Sequence, residues 1–168
     1  KITQKKNIFN NIKFSIVKKH LLINSNAFDL LKEQKIKLHE NKIVLLDEML
    51  NADEYKKFGK ETDEKKIEIH YLNLNRILKN LSETYRKDVV ICLHPKDNMG
   101  LKKKYFPNFE VVQFKTKEMI FEAFLVLFFE SSAIIDAILV KKRIVTLVSN
   151  ALDKNQIDYS QHYIKQVG

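Results

Sequence analysis

Asp88-Val89-Val90-Ile91-Cys92-Leu93-His94-Pro95 is the stretch that decides the fold. Its apolar residues run unbroken from Val89 to Leu93, as in a strand covered on both faces rather than one that alternates between core and water. Pro95 cannot donate to a sheet ladder, so the strand ends there and a loop begins with His94. Working outward, Ile43-Val44-Leu45-Leu46 repeats the pattern and ends in Asp47-Glu48, and Ala123–Phe129 repeats it again before Glu130-Ser131-Ser132. Arg143–Val148 adds a further strand, and the alternating Phe109-Glu110-Val111-Val112-Gln113-Phe114 another.

Helical segments separate these runs. In Glu64–Arg86 the residues Ile67, Tyr71, Leu74, Ile77, Leu78 and Leu81 recur at three- and four-residue spacing, opposite a face carrying Lys66, Glu68, Asn73, Asn75, Lys79 and Asn80. Thr116 can cap a short helix over Lys117–Glu122, packing through Met119 and Ile120, and Ala133–Val140 reads as another. Strands alternating with helices predict an α/β fold: an open parallel sheet with helices on both faces. Asn51–Asp63 reads as an exposed loop, Lys96–Asn108 as a basic connection, and Asn26–Glu40 as loosely helical. The chain divides into an N-terminal linker or edge segment (1–41), the α/β domain (42–150) and a C-terminal tail (151–168).

At 168 residues and 45% hydrophobic content, the chain suits one domain with a full core. Its single cysteine, Cys92, lies within an apolar run, excludes a disulfide framework or multi-cysteine zinc site, and fits a reducing, cytoplasmic compartment. Lys and Asn residues interrupt the N-terminal apolar pieces, so no secretory signal forms. The longest apolar stretch, Ala123–Phe129, falls well short of the roughly 20 residues of a membrane span. Only Gly59, Gly100 and Gly168 are present, which removes both the GxGxxG fingerprint and the P-loop.

The formal charge is +9, from 30 basic and 21 acidic residues. The basic residues are nearly all lysine, with only Arg76, Arg86 and Arg143 to read bases in bidentate fashion, so nucleic acid is not the expected partner. A positive field that draws in anionic nucleotides, or meets an anionic surface at the inner face of the membrane, accounts for the charge more simply.

Ligands of open α/β sheets gather beyond the carboxyl ends of the strands. Asp47-Glu48, His94-Pro95-Lys96 and Glu130-Ser131-Ser132 occupy such ends and are expected along one rim. Ser131 and Ser132, with the first helical amides after them, suit phosphate; capping of the helix by one serine is the competing use. His94 suits donation to a phosphate oxygen or protonation of a leaving group, against a purely structural hydrogen bond. Asp47 or Glu48 would supply a general base, orient a neighbouring lysine, or form a solvated turn. Glu130 would accept from a ribose or pair with a lysine. His20, His39, His70 and His162 lack metal-ligand spacing and are expected at the surface.

Leu93-His94-Pro95-Lys96, Phe129-Glu130-Ser131-Ser132-Ala133-Ile134-Ile135-Asp136-Ala137 and Lys142-Arg143-Ile144-Val145-Thr146-Leu147 together resemble the donor-binding half of GT-B glycosyltransferases. The likeness is greatest to bacterial capsule and lipooligosaccharide enzymes, including CMP-sialic-acid-dependent sialyltransferases, and spans roughly residues 43–148. It implies that His94 and the Ser131-Ser132 pair contact donor phosphate, with His94 also a general acid. It further implies a CMP- or UDP-linked sugar donor and a glycan acceptor; with no acidic metal motif such as DxD in the chain, the expected transferase is metal-independent and without cofactor. UDP-sugar epimerase-like proteins share the strand-HP and strand-SS pattern, and a non-catalytic nucleotide-binding module would carry it too. GT-B enzymes have a second Rossmann-like domain for the acceptor, so the resemblance reads this chain as one half. Where the sialyltransferase acidic motif ends in glycine, Asp47-Glu48 is followed by Met49.

Overall fold

In a computed structural model the structure describes residues 40–48, 64–129 and 131–149. The expected N-terminal edge segment, the 26–39 portion of the loosely helical stretch, the 51–63 loop, Glu130 and the C-terminal tail lie outside the described residues. In chain order the elements are β1 (Lys42–Leu46), α1 (Glu64–Tyr85), β2 (Asp88–Leu93), α2 (Met99–Tyr105), β3 (Glu110–Gln113), α3 (Thr116–Phe121), β4 (Ala123–Phe128), α4 (Ile134–Leu139) and β5 (Arg143–Thr146).

The five strands form one sheet in the order β3-β2-β1-β4-β5, every neighbouring pair parallel. This is a Rossmann-like α/β architecture, with the open parallel sheet expected from the apolar runs. β1 lies at its centre, where Ile43, Val44 and Leu45 are fully buried. Alternate side chains of the strands build two separate cores. Ile43, Leu45, Ile91 and Leu127 pack on α1 through Ile67, Tyr71, Leu74 and Leu78, and on Phe106 at the end of α2. Val44, Leu46, Val90, Val126 and Phe128 pack on α3 through Met119 and Ile120 and on α4 through Ile134 and Ala137. Helices thus cover both faces, which is why the strands lack polar alternation.

Three local expectations change. The 96–108 connection contains α2, whose start is fixed by Asn98: its side chain accepts from the Leu101 N–H at 3.0 Å. Thr116 is the first residue of α3 rather than its cap; Lys115 holds the cap position without a side-chain hydrogen bond. Ile77, expected in the core stripe of α1, is 43% exposed, whereas His70 is buried in its place. With so few glycines, the left-handed residues that close α1 and α4 are Arg86 (φ 52°) and Lys141 (φ 55°). Among the described residues no helix is long and apolar enough to cross a membrane.

Candidate functional site: the carboxyl rim of the sheet

From β1 the chain steps outward through β2 to β3, then returns to place β4 on the other side of β1. The carboxyl ends of β1 and β4 therefore flank the topological switch point, where loops diverge and leave a crevice. Leu46 is in register with Cys92 on one side and Phe128 on the other. The loops that begin at Asp47, His94 and Phe129 consequently leave adjacent strands on one rim, although some 80 positions separate the first from the last.

The His94-Pro95-Lys96 loop is exposed but held tightly from beneath. The Asp97 N–H donates to the His94 carbonyl at 2.9 Å, closing a turn. From β3, the Gln113 side-chain amide donates to the carbonyls of His94 (2.9 Å), Pro95 (3.1 Å) and Asp97 (3.1 Å). The Lys96 N–H donates to His94 Nδ1 at 3.2 Å. An imidazole that accepts at Nδ1 carries its proton on Nε2 when neutral, leaving Nε2–H as the free donor.

Behind this loop lies a largely buried charged cluster. Lys102, on α2, is fully buried, and its Nζ donates to Asp47 Oδ2 at 2.6 Å and to the Glu48 carbonyl at 2.6 Å. It also donates to the Tyr71 hydroxyl on α1 and stands 3.3 Å from Asp97 Oδ2. One ammonium thus ties the end of β1 to α1, α2 and the His94 turn. Tyr71 stacks on Tyr105 with ring centres 4.2 Å apart, and Asn75 Nδ2 donates to the Tyr71 and Tyr105 carbonyls at 2.7 Å each. Burial lifts the Asp47 carboxyl to about 6, against the pull of Lys102. Burial, with the charges of Asp47 and Asp97, pushes the Tyr71 phenol well above its ordinary value, so it remains protonated.

The solvated turn considered for Asp47-Glu48 is not formed: the two residues are 6% and 5% exposed. Of the roles the sequence allows, orienting a lysine is the one this geometry performs. The Asp47 side chain has no exposed surface and presents its Oδ2 to Lys102. Asp47 as general base would need an opening of this cluster.

At the end of β4 the serines divide their labour. Ser131 Oγ accepts from the Ala133 N–H at 3.3 Å, while the Ser131 and Ser132 carbonyls accept from Ile134 and Ile135 at 3.2 Å each. The amides expected to meet phosphate are therefore engaged within the turn, and α4 has only six residues. Ser131 serves as the turn's acceptor. Ser132 is exposed, and its hydroxyl makes no hydrogen bond among the described residues. The position of Glu130 lies outside the described residues.

His70, expected at the surface, is 6% exposed. The cause is its place on the buried stripe of α1, one residue before Tyr71. Its ring meets Tyr71 edge-on with centres 5.0 Å apart, tilts over Phe129 at 5.2 Å, and its Nδ1 lies 2.6 Å from Ser149 Oγ. Burial, aided by the Lys102 charge, drives its pKa down to about 4, so the ring is neutral at pH 7. Beside it a groove of about 400 Å³ runs between α1 and the residues that follow β4 and β5. Cys92 is buried as expected, its thiol pushed up to about 12 by desolvation.

The sequence reading missed Lys102, Gln113 and His70. A usable signal existed for the first: Met99, Lys102, Tyr105 and Phe106 follow helical spacing, which puts a lysine on an apolar face. His70 too falls at helical spacing between Ile67 and Leu74, whereas for Gln113 no local signal exists, because its partners come from a distant segment. Among the described residues no group of three or more His, Cys, Asp or Glu side chains is arranged to hold a metal ion. No family model and no curated protein sequence matches the chain, so its own geometry carries the functional reading.

Proposed function

We propose that this chain is the donor-binding domain of a metal-independent glycosyltransferase of the GT-B type, taking a CMP- or UDP-linked sugar and serving a surface-glycan acceptor. One observation supports the reading most: at the switch-point rim, two exposed turns offer phosphate donors on either side of β1. His94 Nε2–H stands on one turn and the Ser132 hydroxyl on the other, with Lys96 beside His94 to offset phosphate charge. Ser131 and Pro95 shape these turns, and Glu130 is the candidate partner of a ribose.

In this reading His94 donates a hydrogen bond to the phosphate that bears the sugar. As the bond between the anomeric carbon and the phosphate oxygen breaks, the His94 Nε2–H steadies the charge gathering on that oxygen; giving it a proton as general acid requires Nδ1 first to exchange the Lys96 N–H for a proton. The acceptor hydroxyl attacks from the opposite face, inverting the anomeric centre. A sialyltransferase acting on lipooligosaccharide or capsule is the specific form that the HP and SS motifs favour.

Calorimetric titration of CMP, UDP, CMP-sialic acid and UDP-sugars tests the proposal. Binding that weakens in His94→Ala and in a Ser131→Ala/Ser132→Ala double variant is the expected result. Binding that survives both would move the site elsewhere, and no binding to any nucleotide by the folded chain would end the proposal. The burial of Asp47 favours one second reading, a binding module of the same fold without catalysis. That reading predicts nucleotide binding with no sugar transfer when an acceptor domain is supplied.

A further inference from the structure

The groove beside α1 lies at the same end of the sheet as the two turns and belongs to neither. One wall is α1, through Ile69 and Ile77; the other is formed by Phe129 and Leu147 at the ends of β4 and β5. Lys66, His70, Asn73 and Ser149 bring polar groups to this otherwise apolar slot. Its volume of about 400 Å³ lies in the range of small-molecule sites, roughly 300–1,000 Å³. His70 Nε2 is buried and has no hydrogen-bond partner among the described residues, an arrangement that costs stability unless something answers it. Phe129 joins the two regions: its side chain lines the groove, and its backbone leads within three residues to Ser132.

We propose that this groove receives the nucleobase and ribose of the nucleotide whose phosphate is held at the rim, an inference that rests on the phosphate reading above. A nucleoside suits the slot because its base has apolar faces and a hydrogen-bonding edge. The faces would lie between Ile69 or Ile77 and the Phe129–Leu147 wall, and the polar edge would meet Asn73 and the His70–Ser149 pair. His70 is neutral there and its Nδ1 is engaged with Ser149, so Nε2 would meet an uncharged base with one hydrogen bond rather than a charge. A lipid chain would leave those polar groups unanswered, and an anion alone would face mostly apolar walls.

The test separates base from phosphate in the full chain. Uridine, cytidine, UDP, CMP and inorganic pyrophosphate are titrated against wild type, Asn73→Trp and His94→Ala, with melting curves to show that each variant folds. Asn73 is exposed on α1, so a tryptophan there fills the groove from its open side with little effect on the core. The expected result is that Asn73→Trp lowers affinity for nucleosides and nucleotides by about tenfold or more, the scale of one lost base-stacking contact. Pyrophosphate binding stays unchanged in Asn73→Trp and falls in His94→Ala. In methyl-resolved NMR, uridine shifts Ile69, Ile77 and Leu147.

Nucleotide affinity unaltered by Asn73→Trp would overturn the groove assignment while leaving the phosphate site intact. So would nucleotides that bind no better than pyrophosphate. If pyrophosphate fails to bind but uridine still shifts these methyls, the rim reading fails and the groove stands as a nucleoside site. Shifts of the same methyls on dilution without ligand would give the groove to a second copy of the chain and overturn the proposal.

Discussion

The two halves of the carboxyl rim are built on opposite principles. On the β1–β2 side, Lys102 joins Asp47, Glu48, Tyr71 and Asp97 in a largely buried cluster, and Gln113 fastens the turn above it. On the β4–β5 side the turn satisfies its amides internally, Ser132 stays exposed, and the neighbouring groove is open. A buried ion pair is weak evidence for stability, because desolvation cancels much of its attraction. Its value here is geometric: the ammonium fixes where β1, α1, α2 and the His94 turn stand relative to one another. The closed half sets positions, and the open half leaves room for a ligand.

Breaking the closed half has the largest expected consequence. Lys102→Met strands the Asp47 and Asp97 carboxylates, and urea denaturation should show a loss of about 3–5 kcal/mol. Adding Asp47→Asn should recover part of it, since one stranded charge is removed. Tyr71→Phe takes away one acceptor of the ammonium but keeps the stack on Tyr105, and should cost about 1.5–3 kcal/mol by the same measurement. Gln113→Ala loosens only the His94 turn; a stability loss of about 1 kcal/mol is expected, with a clear fall in nucleotide affinity by calorimetry.

Acid sharpens the comparison through His70, which sits where the halves meet. The fold holds its pKa near 4 against 6.5 for the ordinary imidazole, so between these values the unfolded chain binds the extra proton. Its contribution is therefore complete above about pH 6.5 and is lost as pH falls toward 4. Asp47, raised to about 6, works in the opposite sense over much of this range. The clean measurement is thus the difference between wild type and His70→Phe, which should shift in favour of the variant on acidification. The smallest structural effect belongs to the open half. Ser132→Ala should leave stability within about 0.5 kcal/mol while weakening nucleotide binding, the reverse of the pattern at Tyr71.

Much of the fold was legible from residue order. The run Val89–Leu93 and the stop at His94-Pro95 located β2, and the same logic located β1 and β4, because strands covered on both faces need unbroken apolar sequence. The rim was legible too, since polar residues at the ends of such runs can only lie at the carboxyl edge. What escaped was partnership. Asp47 reads as a candidate base until Lys102, 55 residues away, is seen to hold it. Ser131 and Ser132 read as equivalent until the turn engages one hydroxyl and exposes the other. His70 reads as a surface residue because its polarity disguises a place on the buried stripe of α1.

The sequence by itself determined the parallel sheet, its two helical layers and the place of His94 and the serine pair at the strand-end rim, for these follow from local periodicity and from where apolar runs stop. Tertiary structure alone decided the strand order that brings the β2, β1 and β4 ends together, the assignment of Asp47 to Lys102, and the groove beside His70. Those features depend on which distant segments meet. Contacts of that kind are set by the packing of whole elements, which no local pattern encodes.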